Sequence, residues 1–487
     1  MNVKTRFPPS PTGSLHIGSL RTALYNYYFA KKHGGTFVLR IEDTDQARSV
    51  PGAVESLIRT LARMDISYDE GPYLQDGHLV EKGPNGPYTQ SNRLNTYRTH
   101  AMQLIEQQQA YYCFCTKKRL ETLRESQQAT KRPTKYDRKC LQLTQAEIDK
   151  QLDLGTSYVI RMKIPEGKTI FQDEIRGTVV IDHAEVDDQV LLKADGFPTY
   201  HLAVVVDDHA MGVTHIIRGE EWLSSVPKHV LLYGWFGFDL PVFAHLPLIL
   251  NPDKSKLSKR QGDVSVEDYL AKGYLEEALS NYVSLLGFNP TSNREIYTRD
   301  EFIEAFNLKK INKSGAVFDV NKLLWMNGQY IKQLSGAKIL ARSKPFIEEG
   351  GGVDEALGIR AMEIEKTRIQ LLSEVKDALI VYTMQPMYAA DLLVWKKSTR
   401  EDAKEQLLNL RVFLNAKDSS MFDTAALIEK GLKRYIEDNG LKNGNVLWPL
   451  RVALSGQERS AGPHEFMWVL GKQETLKRID HAISQLT

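Results

Sequence analysis

The chain has 487 residues with 42% hydrophobic content, enough to build several cores at roughly 150 residues per domain. Its formal charge is only +2, which excludes a uniformly basic coat, so any nucleic-acid surface must be local. No run of about 18 apolar residues occurs, which excludes a membrane-spanning helix. No basic patch followed by an apolar core marks a secretory signal, and three cysteines, an odd number, argue against a disulfide scaffold and for a reducing, cytoplasmic setting.

In chain order, Val3 to Phe7 reads as a short strand. Pro8, Pro9 and Pro11 then fix φ and force a turn. After Gly18, apolar residues at Leu20, Ala23, Leu24, Tyr27 and Tyr28 mark one face of a helix, which Gly34 and Gly35 stop. A strand feeding a helix N-terminus through a glycine-containing turn is an anion site, because free backbone N–H groups and the helix dipole point at it. His16 stands at that helix start, where its ring can donate to a phosphate oxygen. Thr36 to Ile41 reads as a second strand, ending in Glu42, Asp43 and Asp45, and Pro51 opens a second helix. This alternation begins a doubly wound parallel sheet, with ligands beyond the strand C-termini.

Further along, residues 83–87 form a loop, and a helix rich in Gln and Tyr runs to Tyr112. The stretch from Lys117 to Lys139 is dense in cations, and Tyr158 to Ile164 and Thr178 to Asp182 read as strands of one small antiparallel unit. The parallel sheet is expected to resume at Ala203 to Val206 and at His215 to Ile217, followed by a helix over Glu221 to Phe236. Lys254, Lys256, Lys259 and Arg260 place four cations in one short loop after Asn251-Pro252-Asp253. Helices follow over Asp268 to Leu286, Arg299 to Phe306, Val320 to Ile331, Thr367 to Tyr382 and Ala425 to Asp438.

Four blocks carry a resemblance. Pro9-Ser10-Pro11-Thr12-Gly13 with His16-Ile17-Gly18-Ser19, then Ile41-Glu42-Asp43-Thr44-Asp45, then Pro198-Thr199-Tyr200-His201, then Lys256-Leu257-Ser258-Lys259-Arg260, resemble in the same order the signatures of class I aminoacyl-tRNA synthetases, in the form of the bacterial-type glutamyl branch. The likeness is strong to about Tyr330 and diffuse beyond. It implies a Rossmann-like α/β catalytic domain in two halves, 1–111 and 192–250. Between them it implies an α+β acceptor-stem-binding insert at 112–191. A loop and helical stem-contact domain at 251–336 and an all-helical anticodon-binding region at 337–487 complete the expected organisation.

The implied reaction joins L-glutamate to ATP as glutamyl-adenylate and passes the acyl group to the 3′ end of tRNA(Glu), with tRNA needed for activation. Such chemistry needs positioning, and cations where negative charge grows on phosphorus oxygens. By resemblance, His16, Lys256 and Lys259 are catalytic. Gly13, His16, Gly18, Ser19, Glu221, Trp222, Lys256, Ser258 and Lys259 bind ATP, with Mg²⁺ bridging the phosphates. Arg6, Ser10, Glu42, Tyr200 and Arg218 bind glutamate, since buried carboxylates require arginine forks; which arginine takes which carboxylate stays open. Pro8 and Val204 depart from the family's small residue and asparagine, and valine cannot make an amide's hydrogen bonds.

Cys113, Cys115 and Cys140, with Tyr136 as the fourth donor, resemble a structural zinc site of some family members; Gln142 stands where others carry a histidine. A monomer without membrane contact is expected. A non-discriminating enzyme that also charges tRNA(Gln) with glutamate is the alternative, since no arginine stands within Leu371 to Ala378. A tRNA-base glutamylating enzyme lacks the C-terminal third, and a catalytically silent tRNA-binding protein would not need His16, Lys256 and Lys259.

Overall fold

The computed structural model describes residues 2–257, 265–291, 293–347 and 354–486. They form two compact units, one of residues 2–268 with 280–319 and one of 269–279 with 320–486. Among them no helix is long and apolar enough to cross a membrane.

In the first unit, β1 (Lys4–Phe7) leads into α1 (Ile17–Lys32) and returns as β2 (Thr36–Leu39), parallel to β1 with Arg6 opposite Val38. One face of α1 is buried through Leu20, Ala23, Leu24, Tyr27 and Tyr28. Next come α2 (Ala53–Arg63), the hairpin β3 (Gly71–Gln75) and β4 (His78–Lys82), and α3 (Leu94–Glu106). The helix expected to reach Tyr112 ends at Glu106. Gln108 turns left-handed (φ 57°), and Tyr111 and Tyr112 lie in β5 (Ala110–Cys113), where aromatic side chains suit a sheet better than a helix.

The basic stretch forms α4 (Lys117–Ala129), which buries no residue, and α5 (Gln145–Asp153) follows. The strands expected to form one small antiparallel unit separate. β6 (Val159–Met162) pairs with β5. β7 (Lys168–Asp173) and β8 (Gly177–Asp182) form a different hairpin. β9 (Val190–Leu192) completes the sheet of β5 and β6.

Ala203 to Val206 is not a strand. It lies in α6 (Tyr200–Ala210), buried on all sides. Three consecutive valines favour a strand locally, but a fully enclosed helix also reads as an unbroken apolar run. The parallel sheet continues instead in β10 (His215–Gly219), whose entry is tied to β1 by Thr214 N–H to Lys4 O at 2.9 Å. After α7 (Val226–Phe236) comes β11 (Val242–Leu246), parallel to β10. The order is β10-β11-β7-β8, so the hairpin joins the parallel layer through Asp173 opposite Phe243. The C-terminal ends of β1, β2 and β10 carry the site, as expected of a doubly wound sheet.

The second unit is helical around a core that includes Leu407, Leu410, Leu450, Val452, Met467 and Ile479. The helix expected over 268–286 is broken at Gly273, with φ +93°, into Val266–Ala271 and Glu276–Ser284. Likewise Thr367 to Leu371 is not helical; the α-helix starts at Val375, because the Leu372 amide bonds Gly273 O at 2.9 Å and Glu374 accepts the Gln370 amide at 2.7 Å.

Candidate active site

A cleft of about 740 Å³ opens at the strand ends. It is lined by Arg6, Pro8, Ser10, His16, Gly18, Ser19, Glu42, Tyr200, Arg218, Glu221, Trp222 and Lys256, so residues up to 250 positions apart meet there. Gly13 is not among the lining residues; it shapes the turn with φ +126°, where a side chain would be strained. Ser258 and Lys259 lie outside the described residues.

His16 caps α1, and its Nδ1 accepts the Gly18 amide at 2.9 Å. That bond puts the ring proton on Nε2, which makes that nitrogen a donor. It also occupies the Gly18 N–H expected to face a phosphate. Lys256 is delivered by a tight turn. Asn251 N–H bonds Ser255 O at 2.8 Å, Asp253 accepts the Ser255 amide at 2.8 Å, and Lys256 bridges back to Leu250. Trp222 is 38% exposed, with its ring 4.2 Å from Tyr200, so it faces the cleft rather than filling the core.

Two differently built arginines line the same cleft. Arg6 is buried, and its Nε donates to Asp208 at 3.2 Å. Among the described residues both its Nη atoms lack a partner, a costly state for a buried guanidinium unless a ligand completes it. Asp208 is shared with Arg40, whose Nη1 donates to it at 2.7 Å and whose Nη2 donates to Glu42 at 3.0 Å. Burial opposes the charge on Asp208, but Arg6 and Arg40 hold it below the usual carboxylate range. Burial raises Glu42, which Arg40 and Arg6 only partly offset; a carboxylate short of countercharge suits an ammonium.

Arg218 Nε donates to His245 Nε2 at 3.1 Å, Nη1 to the Tyr200 hydroxyl at 2.8 Å, and Nη2 to His229 Nδ1 at 3.3 Å and Trp222 O at 3.4 Å. Of a guanidinium's five N–H groups, one on Nη1 is left over among the described residues. Because Tyr200 accepts there, its own O–H can donate onward. Arg218 therefore offers a mixed pair of donors, whereas Arg6 offers a bidentate fork. Burial drives His229 far below its ordinary value and His201, bonded to it at 3.2 Å, down to about 3. The neighbours of Arg218 are uncharged.

Arg40, Asp208, His229 and His245 were not evident from motifs. The signals were an arginine ending a strand and two acids closing the apolar run of α6. Val204 packs in the core at 1% exposure and does not line the cleft, so no polar contact comes from that position.

The cysteines also converge. Cys113, Cys115 and Cys140 place their Sγ atoms within 4.8 Å of one another, and the Tyr136 hydroxyl lies 3.4 Å from Cys113 and 3.3 Å from Cys115. Those spacings match the edges of a tetrahedron with metal–ligand bonds of about 2.0–2.3 Å. Hydrogen bonding from Cys140 outweighs burial and lowers Cys113 to about 4, favouring a thiolate. Arg119 Nη1 donates to Cys115 at 3.3 Å, and Arg161 lies 4.2 Å from the Tyr136 ring centre, so two cations offset the anionic donors.

A doubly wound sheet whose strand ends gather an imidazole, a lysine and two arginines around one cleft fits an enzyme that joins a carboxylate to a nucleotide. Residues 2–325 match the catalytic domain of class I tRNA synthetases (E and Q), and 326–483 match an anticodon-binding domain; the chain belongs to this family. It is 46% identical to the glutamate–tRNA ligase of Clostridium botulinum over 99% of this chain and 98% of that one, and 44% identical to that of Alkaliphilus metalliredigens over 100% and 99%. The structure of a glutamate tRNA ligase from Elizabethkingia meningosepticum, in complex with its amino acid, superposes with a TM-score of 0.89 at 36% identity, covering 100% of both chains.

Proposed function

We infer that this chain is a glutamate–tRNA ligase that charges tRNA(Glu). A glutamate carboxylate oxygen attacks the α-phosphorus of ATP, pyrophosphate leaves, and a terminal ribose hydroxyl of tRNA displaces AMP from the mixed anhydride. His16 and Lys256 hold phosphate oxygens, with Lys259 assigned to stabilise the transition state. Gly13 shapes the turn beneath the phosphates, Gly18 holds the His16 ring that faces them, and Ser19 and Ser258 contact them. Glu221 and Trp222 flank the nucleoside. Mg²⁺ enters with ATP, since it usually keeps substrate phosphates as ligands.

The observation that carries amino-acid choice is charge. Arg6 and Arg40 are balanced by Asp208 and Glu42, while Arg218 has no ion pair among the described residues. Among groups in direct contact, that leaves one positive charge for a zwitterion of net −1, which glutamate is and glutamine is not. In this reading Arg6 takes one carboxylate bidentately, Arg218 and Tyr200 take the other, Glu42 receives the ammonium, and Ser10 adds a hydroxyl.

The enzyme acts in the cytoplasm as a monomer, with one structural Zn²⁺ on Cys113, Cys115, Tyr136 and Cys140 that ties the β5 edge to the segment around residue 140. Units 112–191 and 337–487 are assigned to the acceptor stem and anticodon. Charging of purified tRNA(Glu) and tRNA(Gln) with each amino acid tests the whole reading. Glutamate on tRNA(Glu) alone is expected; glutamine as substrate would overturn it, and glutamate on both tRNAs would support the non-discriminating form, which the names of the relatives do not favour.

A further inference from the structure

Behind Arg218 lies a chain of hydrogen bonds that no motif announces. Asp173 ends β7 and begins the tight turn to Gly177. Its Oδ1 accepts the amides of Ile175 at 3.0 Å and Arg176 at 2.8 Å. Its Oδ2 accepts the His245 amide at 3.1 Å and stands 2.6 Å from His245 Nδ1. A carboxylate facing only N–H groups is ionised, so the His245 proton sits on Nδ1. The Nε2 lone pair is then turned to the Arg218 Nε–H at 3.1 Å. Asp173 and His245 are both buried. Arg176 fastens the same turn, donating to Lys313 O at 2.7 Å and pairing with Glu220.

Direct contact with Asp173 would cancel the charge of Arg218. The imidazole between them orients the guanidinium and keeps the countercharge one ring away. We propose that Asp173 and His245 are positioning residues of the amino-acid pocket: together they fix the imidazole tautomer that holds Arg218 by its Nε while leaving its charge to the substrate. This rests on the glutamate–tRNA ligase reading. It also gives the β7–β8 hairpin a part in amino-acid recognition.

Asp173→Asn is the sharpest test. Oδ1 remains with the two turn amides and lies 3.4 Å from the His245 amide, which it can also accept, so the new NH₂ group takes the place of Oδ2 and donates to Nδ1. The ring proton then moves to Nε2 and meets the Arg218 Nε–H donor to donor, the wrong-tautomer effect known for a buried Asp–His pair. His245→Phe removes the acceptor altogether, and His245→Gln restores one. In charging assays the KM for glutamate is expected to rise about tenfold or more in the first two variants, the loss typical of a hydrogen bond to a charged group. His245→Gln recovers most of it, and the KM for ATP stays within about twofold throughout.

Thermal unfolding establishes that each variant is folded; should His245→Phe not fold, Asp173→Asn carries the test. A folded Asp173→Asn with wild-type glutamate KM, or equal rises in both KM values, would overturn the relay alone. Failure of the wild-type chain to charge with glutamate would overturn the ligase reading and the relay with it.

Discussion

Two buried arginines, one in each unit, are put to opposite use. Arg478, in the helical unit, is 1% exposed, and its Nη atoms donate to the carbonyls of Val381, Tyr382, Met384 and Leu454. Those carbonyls end two helices, Val375–Thr383 and Asn443–Ser455, and a cation is the natural partner of a helix C-terminus. Its Nε is taken by Glu474 at 3.2 Å. Arg6, in the catalytic unit, is as deeply buried, but its Nη atoms have no partner among the described residues, and Arg218 is held by uncharged groups. A guanidinium spent on carbonyls holds structure, whereas one with unspent donors at a cleft is suited to an anion.

The comparison breaks if the two kinds of arginine respond alike to substitution. Arg6→Ala should lower glutamate charging by on the order of 10³-fold or more, because the ligand loses both Nη donors, while the unfolding temperature falls less than it does for Arg478, since Asp208 loses the Arg6 Nε but keeps Arg40. Arg478→Met should do the reverse: stability falls by about 3 kcal/mol or more as carbonyls lose their donor, and the glutamate KM of protein that folds is unchanged. A smaller effect, on the order of 10²-fold in kcat, is expected for Lys256→Ala, with the glutamate KM held, as for loss of one group aimed at developing charge.

Chelation should lower the unfolding temperature without touching the KM for ATP, and metal analysis of protein purified without chelator should find one zinc per chain; well under one contradicts the site. The mildest expectation concerns pH. Burial lowers His201, His229 and His245 in the fold, so below about 6.5 the unfolded chain binds more protons than the folded one. Stability therefore falls as pH drops from about 6.5 toward the folded value of about 3 for His201, and unfolding midpoints measured across that range check the sign.

How much of this was legible in the sequence follows from how local each feature is. His16 and the turn before it are one continuous stretch, as are Asn251 to Lys256, so these two members of the cleft lining could be read directly. Arg6 and Arg218 were legible as types, because a carboxylate substrate demands them. Their difference was not, because it is made by Asp208 and His245, which are brought in by parallel pairing rather than by spacing. The valines of α6 misled because local preference and complete burial give the same text. Residues 168–182 were placed in the inserted unit on sequence position, whereas Asp173 opposite Phe243 joins them to the parallel sheet.

The central claim is that one cleft holds a nucleotide by its imidazole and lysine and a dicarboxylate by its arginines. Glutamate-dependent charging of tRNA(Glu) by Arg218→Ala, set beside the wild type at equal folded concentration, tests it most directly. The account expects charging to be abolished in a protein whose unfolding temperature is retained; near-normal charging by that variant would contradict it.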